Sequence, residues 1–212
     1  MYSFLKDHCK EIDYYIPNRY SEGYGVSNKG IDYAAEKGHR MIIALDCGIK
    51  ALEKVAYARS KGIDFIICDH HNPGDEMPDA VAVLDPKRDD CNYPFKELSG
   101  CGVGFKLVQA LATRMDIGFE EITHFLDLVV VSIASDIVPI NDENRVMASH
   151  GLEKLTVSPR IGLQAIKNVA AFNDKQLTIE DIVYKIGPRL NAAGRMESGN
   201  TAVELLVSDD PN

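Results

Sequence analysis

Four residues at two places in the sequence have the chemistry of a divalent metal site. Asp46 follows one apolar run, and Asp69, His70 and His71 follow the next. Carboxylate oxygens combined with imidazole nitrogens suit Mn²⁺, Mg²⁺ or Fe²⁺ better than an ion that prefers thiolates. Mixed sites that hold two such ions hydrolyse phosphoesters, because the metals generate hydroxide and neutralise charge on the phosphoryl group. The pattern therefore predicts a metal-dependent phosphoesterase.

Each of these residues also has a simpler interpretation. An aspartate at a strand end often caps the helix that follows, and a single histidine is more often a hydrogen-bonding residue than a ligand. The combination of Asp46 at one strand end with Asp-His-His at the next favours a metal site. A zinc site that uses Cys47 and Cys68 is a weaker alternative, because no close Cys/His spacing indicates a closed tetrahedral site.

A fifth candidate ligand, Asp136, ends a very apolar segment that is predicted to be a buried helix. An isolated buried carboxylate is costly and needs a partner. The carboxyl end of a helix is also unfavourable for an anion. Both considerations favour a cationic partner for Asp136, and a metal ion is one such partner.

The glycine-rich stretch from Ser99 to Lys106 has two interpretations that the sequence leaves open. It matches neither the Walker loop nor the dinucleotide-binding fingerprint, because Phe105 replaces the third glycine of the latter. The small residues could allow a helix start to approach the sheet closely. Alternatively, Ser99, Gly100 and Gly102 could offer backbone N–H groups to a phosphate.

These candidates are placed by elements that alternate between strand and helix in the first half of the chain. Strand patterns cover residues 12–17, 41–46, 64–69 and 80–85, and helical patterns cover residues 30–38 and 50–61. Such alternation predicts an α/β fold with a parallel sheet flanked by helices and right-handed crossovers. Ligand sites of open parallel sheets lie beyond the carboxyl ends of the strands, where Asp46, Asp69 and Asp85 stand.

The second half of the sequence predicts a mainly helical segment. Helical patterns cover residues 103–115, 120–133, 142–155 and 161–171, and a further helix from about residue 178 is followed by a predicted loop at 187–190. We expect a domain at residues 1–150, with the sheet core ending at about residue 86. Residues 151–212 are then a helical segment that completes this domain and leads towards a C-terminal domain.

Composition limits the class of protein and its location. The chain has 212 residues, 45% of them hydrophobic, which predicts a packed core. No run approaches the length of a membrane span, and no basic region precedes an apolar run at the start, so we expect no membrane association and no secretion signal. Five scattered cysteines indicate a reducing cytoplasm. The net charge of −9 disfavours a nucleic-acid binder, although a metal site collects carboxylates.

Five sequence blocks in this order resemble the DHH phosphoesterase superfamily. They are Leu45–Gly48, Asp69–His71, Ser99–Gly104, Ala134–Asp136 and Ile186–Met196. The glycine-rich block and the last block are similar to the RecJ branch in particular. The resemblance implies a 5′-to-3′ exonuclease that degrades single-stranded DNA to nucleoside monophosphates with Mn²⁺ or Mg²⁺, in DNA repair and recombination. It also implies a single-strand-binding protein and a helicase as partners.

The resemblance assigns roles to the candidate site residues. It implies that Asp46, His70 and Asp136 bind metal ions. It implies that His71 contacts the scissile phosphate or helps to activate water. Asp69 would then orient the histidines, since metal-binding imidazoles usually donate their second N–H to an acceptor.

A short basic segment carries the nucleic-acid contacts that the resemblance implies. Residues 185–195 contain Lys185, Arg189 and Arg195 and no acidic residue. Arg189, Asn191 and Arg195 would face the DNA backbone, where arginine can contact phosphate with two hydrogen bonds. A solvated basic surface without a partner is the alternative.

The chain also departs from the pattern of the superfamily. Its members begin with a strand that ends in an Asp-x-Asp motif, and no such motif occurs here. We therefore expect that the first strand and its ligands are absent and that the chain itself has little activity. The sheet should then have an open position beside the strands at 12–17 and 41–46, or be completed by strand pairing with a neighbouring chain. Other phosphoesterases of the superfamily, namely a pyrophosphatase or an oligoribonuclease/phosphoadenosine phosphatase, and a non-catalytic RecJ-like module remain alternatives.

Overall fold

The computed structural model describes residues 1–172, 176–196 and 199–210, apart from the side chains of residues 193–196. The chain divides into two compact units. The sheet unit is Tyr15–Leu107, and the helical unit combines Met1–Tyr14 with the chain from Val108 onward. Compact units are not the same as domains, so the predicted domain division at residue 150 stays a prediction.

The sheet unit contains three parallel strands in the order β1-β2-β3, which confirms the predicted parallel sheet. The strands are β1 (Met41–Leu45), β2 (Asp64–Cys68) and β3 (Ala82–Leu84). Helix α2 (Asn28–Glu36) precedes β1, and helix α3 (Leu52–Ser60) connects β1 to β2. This is the order of elements that the alternating sequence pattern predicts.

The core of the sheet unit is apolar and lies between the strands and these two helices. Ile31 of α2, Val55 of α3, and Phe65 and Ile67 of β2 are almost fully buried. Both inward and outward positions of β2 are apolar because a parallel strand is covered on both faces. The Ser27 hydroxyl accepts a hydrogen bond from Gly30 N and so caps the start of α2.

The predicted strand at residues 12–17 is wrong. These residues adopt no regular structure, although the segment is partly buried. A strand requires a ladder of backbone hydrogen bonds, and among the described residues β1 pairs only with β2. Residues 12–17 are instead held through side chains, for example by the Tyr15 hydroxyl, which donates to Glu22.

The helical unit contains short and long helices from the start and from the second half of the chain. Helix α4 (Gly100–Arg114) begins in the sheet unit and ends in the helical unit. The others are α1 (Tyr2–Leu5), α5 (Phe119–Ile122), α6 (Leu126–Ser135), α7 (Asp142–Val157), α8 (Ile161–Val169), α9 (Ile179–Asp181), α10 (Gly187–Met196) and α11 (Gly199–Val207).

The predicted helix at 120–133 is divided in the structure. A 3₁₀ turn, Thr123–Phe125, separates α5 from the buried helix α6. The α6 core residues Val129, Val130 and Ile133 are fully buried, which confirms the buried helix that the apolar run predicts. Helix α7 packs closely on α6, because a side chain at Gly151 would lie 2.7 Å from Val130 Cβ.

The predicted loop at 187–190 is also wrong. A π-helical turn, Ile182–Ile186, leads directly into α10, which begins at Gly187. Pro188 is tolerated because it lies in the first turn of α10, where its absent N–H would lack a partner within the helix anyway. None of the described helices has both the length and the apolar character that crossing a bilayer requires.

Candidate metal centre

The parallel ladder places the carboxyl ends of β1 and β2 side by side. Leu45 lies opposite Cys68, and the ladder continues because Asp46 N donates to Cys68 O at 2.8 Å. Asp46 has φ 60°, a left-handed conformation that aspartate tolerates better than most residues. Gly48 follows at φ 111°, a conformation that glycine adopts readily, and the chain turns there towards α3.

Three predicted site residues meet at this edge of the sheet. Asp46, His70 and His71 each offer one ligand atom, and the three atoms lie within 4.8 Å of one another. The side chains differ in exposure, at 46% for Asp46, 12% for His70 and 50% for His71. The group is therefore anchored by His70 and open to solvent through the other two.

The contact between Asp46 and His70 has the geometry of a cation site. His70 Nδ1 lies 3.1 Å from Leu98 O, and because a carbonyl oxygen only accepts, Nδ1 is the nitrogen that carries the proton. His70 Nε2 lies 3.1 Å from Asp46 Oδ1. That oxygen is buried and has no hydrogen-bond partner among the described residues. With the proton on Nδ1, Nε2 and Asp46 Oδ1 are both electron-pair donors, and a divalent cation can bind to both.

Asp69 lies beneath this cluster and is 1% exposed. Its carboxylate accepts from Ile49 N at 3.0 Å, His70 N at 2.8 Å and His71 Nδ1 at 2.6 Å. Burial alone would raise the pKa of Asp69, but these hydrogen bonds outweigh burial and the pKa is lowered. Asp69 is therefore a charged acceptor that orients His71.

A cleft of about 600 Å³ opens beside the cluster. Asp46, Asp69 and His71 line it together with Tyr24 and Lys50, among other residues. It therefore combines acceptor groups for a cation with an aromatic ring and an ammonium group.

Cys47 also lines this cleft, and burial is the main reason that its pKa is raised to about 11, with the carboxylates of Asp69 and Asp46 contributing. Cys68 is buried, and its pKa is raised to about 12 for the same main reason. Both are thiols at neutral pH. The oxygen and imidazole ligands are thus the better donors here.

Asp85 directly follows β3 and is 2% exposed, but sequence reasoning left it without a role. Its Oδ1 accepts from Lys87 N at 2.8 Å, whereas Oδ2 is buried with no hydrogen-bond partner among the described residues. Burial raises the pKa of Asp85, and the negative charge of Asp69 adds to the increase. The sequence pattern placed Asp85 at the carboxyl end of a strand, but it did not predict the burial of this carboxylate.

Asp136 lies in the helical unit, at the carboxyl end of α6. Its Oδ2 accepts from the Ser132 hydroxyl at 3.0 Å, one turn earlier in the same helix. The side chain is exposed, so the expected burial of this carboxylate is wrong. Ile137 follows with φ 54°, a strained conformation for a β-branched residue. The metal-binding role of Asp136 stays a prediction.

The glycine-rich stretch forms the first turn of α4. Ser99 is fully buried, and its hydroxyl accepts from Gly102 N at 3.2 Å, which is a helix cap. Gly100 is also buried and lies against Asp46. Of the two interpretations that the sequence leaves open, this arrangement favours close approach to the sheet, and the phosphate contact stays a prediction.

The predicted nucleic-acid residues lie on α10. Arg189 Nη1 donates to Lys185 O at 2.8 Å, and both Arg189 and Asn191 are exposed. The side chain of Arg195 falls outside the part of the chain that the structure describes. Their contact with DNA stays a prediction.

Comparisons with known proteins identify relatives of this chain. The family model described as "DHH family, N-terminal domain" matches residues 1–133. The single-stranded-DNA-specific exonuclease RecJ of Bacillus subtilis (strain 168) is 40% identical over 200 residues, which cover 94% of this chain and 25% of that protein. The protein of the same name from Escherichia coli (strain K12) is 38% identical over 212 residues, covering 95% of this chain and 37% of that protein.

Solved structures agree with these matches. The crystal structure of exonuclease RecJ bound to manganese has a TM-score of 0.80 and 28% identity, and the match covers 93% of this chain and 49% of that one. RecJ from Thermus thermophilus in complex with Mn²⁺ has a TM-score of 0.74 and 26% identity, covering 86% of this chain and 27% of that one. The chain thus spans less than half the length of each relative. With residues 1–133 matched by the family model, the chain belongs to the DHH family.

Proposed function

We propose that this chain is part of a metal-dependent phosphodiesterase that degrades single-stranded DNA from the 5′ end and releases nucleoside monophosphates. The observation that carries the proposal is the pair formed by Asp46 Oδ1 and His70 Nε2, two acceptor atoms 3.1 Å apart with the oxygen buried and lacking a hydrogen-bond partner in the described structure. Relatives named single-stranded-DNA-specific exonuclease support the substrate class.

The residues at the metal centre have different proposed roles. Asp46 and His70 would hold Mn²⁺ or Mg²⁺, with Asp136 as a further ligand, and the bound ion would supply an activated water and charge neutralisation at the phosphate. Leu98 O fixes the tautomer of His70, so that Nε2 is presented to the metal. Asp69 accepts a hydrogen bond from His71 Nδ1. His71 Nε2 is then the nitrogen that would contact the scissile phosphate or accept a proton from water.

Contacts to the DNA would come from other parts of the chain. Arg189, Asn191 and Arg195 would bind the DNA backbone, where guanidinium groups match phosphate geometry. Ser99, Gly100 and Gly102 remain candidates for a phosphate contact. A role in DNA repair and recombination in the cytoplasm, with a single-strand-binding protein and a helicase as partners, completes the proposal.

Calorimetric titration of Mn²⁺ tests the metal centre directly. We expect binding by the wild-type chain, loss of binding in Asp46→Ala, and retention in Asp79→Ala. Asp79 is a matched control because it is an exposed aspartate of the same unit that pairs with Arg59. Equal Mn²⁺ affinity in the wild type and in Asp46→Ala would show that the metal binds away from the strand ends, and this would contradict the proposal.

A second assay separates the proposed nuclease from other phosphoesterases of the superfamily. In the presence of Mn²⁺, the chain is incubated with labelled single-stranded DNA, with duplex DNA and with pyrophosphate. Because the chain itself is expected to have little activity, the proposal predicts slow release of mononucleotides, and only from single-stranded DNA. Orthophosphate released from pyrophosphate, without mononucleotides from DNA, would assign the chain to a different substrate class.

A further inference from the structure

Gly100, the first residue of α4, lies in direct contact with the carboxylate of Asp46. A Cβ atom placed on Gly100 would lie 2.8 Å from Asp46 Cβ and closer still to Cγ and Oδ1. Separations below 3 Å between such atoms do not occur without displacement of one partner. No side chain other than hydrogen therefore fits at residue 100 while Asp46 keeps its conformation.

Neither backbone can withdraw easily from this contact. The start of α4 is held by Ser99, whose carbonyl and hydroxyl oxygens accept from Val103 N at 2.9 Å and Gly102 N at 3.2 Å. On the other side, Asp46 N donates to Cys68 O in the sheet ladder. The Asp46 side chain is the softer partner, because rotation about χ1 towards the open cleft moves Cγ and Oδ1, the two atoms nearest to the added carbon. Asp46 Cβ does not move in this rotation, so a small backbone shift must accompany it.

We propose that Gly100 is a positioning residue for the metal centre. Its missing side chain leaves room for the Asp46 carboxylate, and the adjacent backbone of α4 keeps Oδ1 buried beside His70 Nε2. A methyl group at residue 100 would rotate the carboxylate away from His70 and separate the two ligand atoms. The part of this inference that concerns metal binding rests on the proposed function. The other part, the position of the Asp46 carboxylate against Gly100, does not, and we call it the seating of the carboxylate.

Gly104 provides a matched control one turn later in the same helix. A Cβ atom on Gly104 would lie 3.6 Å from Leu45 Cδ2, which is an ordinary van der Waals separation. Gly100→Ala and Gly104→Ala therefore make the same chemical change to α4. Only the first one fills the space that the Asp46 carboxylate occupies.

A double-mutant cycle in metal-free buffer tests the seating of the carboxylate. We expect Gly100→Ala to lower the thermal unfolding midpoint by on the order of 5 °C, a typical effect of overpacking in a chain of this size. Asp46→Gly removes the colliding atoms, and glycine suits φ 60°. In that background, Gly100→Ala should have little effect. An equal drop in both backgrounds would show that the methyl group collides elsewhere and would overturn the inference.

Mn²⁺ affinity, measured on the same variants, separates positioning from packing. Gly100→Ala should weaken Mn²⁺ binding by about 10- to 100-fold, as for other changes that misplace a metal ligand, while Gly104→Ala should leave the affinity near that of the wild type. Unchanged affinity in Gly100→Ala would reduce its role to packing and overturn the positioning role. No Mn²⁺ binding by the wild-type chain, together with a coupled cycle, would instead reject the proposed metal centre and leave the seating intact.

Discussion

Both units of the molecule bury aspartates, and Asp127 and Asp69, one from each unit, are satisfied in different ways. Asp127 of the helical unit is 2% exposed and Asp69 of the sheet unit is 1% exposed. The Arg160 guanidinium donates hydrogen bonds to both carboxylate oxygens of Asp127. Nε lies 2.9 Å from Oδ2, and Nη2 lies 2.7 Å from Oδ1. Asp69 accepts from backbone amides and from His71, whose ring is half exposed in the cleft.

The difference shows what a buried carboxylate can do. A carboxylate paired with a permanent cation, as in Asp127 and Arg160, ties two parts of the chain together. A carboxylate that accepts a hydrogen bond from an imidazole fixes the orientation of that ring, as Asp69 does for His71. The oriented ring can then bind a metal ion or accept a proton. Burial alone therefore does not identify a functional aspartate, whereas the nature of its partner does.

The largest effect on stability is expected from Asp127→Ala. This change leaves the guanidinium of Arg160 partly buried and without its carboxylate, which costs about 3–5 kcal/mol of unfolding free energy. Denaturant unfolding measures the loss, and Mn²⁺ affinity should stay unchanged. A loss below about 1 kcal/mol, typical of exposed ion pairs, would remove the contrast between the two aspartates.

Asp69→Asn should affect metal binding more than stability. The amide group cannot accept at both positions, so His71 or a backbone N–H loses its acceptor, and Mn²⁺ affinity should fall by about 10- to 100-fold. The expected loss of unfolding free energy is about 1–3 kcal/mol.

The pH dependence of this second variant provides an independent check. The pKa of Asp69 is lowered in the folded state, so its contribution to stability is present above the ordinary aspartate pKa of about 3.9. This contribution is lost as the pH falls through the lower folded value. The stability difference between wild type and Asp69→Asn should therefore be constant near pH 7 and shrink in acid. A difference that grows in acid would contradict the lowered pKa.

Asp85→Asn should have a smaller effect with the opposite pH dependence. Burial raises the pKa of Asp85, so the folded chain binds this proton more tightly than the unfolded chain, and stability falls as the pH rises from the ordinary value of about 3.9 through the folded value. Removing the charge should therefore raise the unfolding free energy by about 1 kcal/mol near pH 8 and less near pH 4. A stabilisation equal at both pH values would contradict this account.

The smallest effect concerns two residues with a positive φ, namely Asp46 and Ile137, which follows Asp136. Asp46 itself adopts φ 60°, whereas in the helical unit Ile137, after Asp136, adopts φ 54° with its side chain 82% exposed. Ile137→Gly should relieve strain and raise the unfolding free energy by about 0.5 kcal/mol, because it loses little buried surface. Ile140→Gly, at a residue without positive φ, should destabilise. The same sign for both variants would contradict the strain at Ile137.

Much of the sheet unit could be predicted from local patterns. The apolar runs of β1 and β2 and the polar residues that follow them predict both the strands and the edge at which Asp46, His70 and His71 meet. The reason is that parallel strands in register align their carboxyl ends, so a short motif specifies a three-dimensional cluster. The strand predicted at residues 12–17 failed because an extended apolar segment becomes a strand only when a partner backbone lies beside it.

The residue types and their order along the chain determined the family, the parallel sheet and the acidic and imidazole ligands at its edge. Tertiary structure decided how those ligands are held. Leu98 O selects the tautomer of His70, Gly100 makes room for Asp46, and Asp85 loses one hydrogen-bond partner by burial. A backbone carbonyl, an absent side chain and a desolvated oxygen have no signature in local sequence, because each acts only through a neighbour that folding brings close.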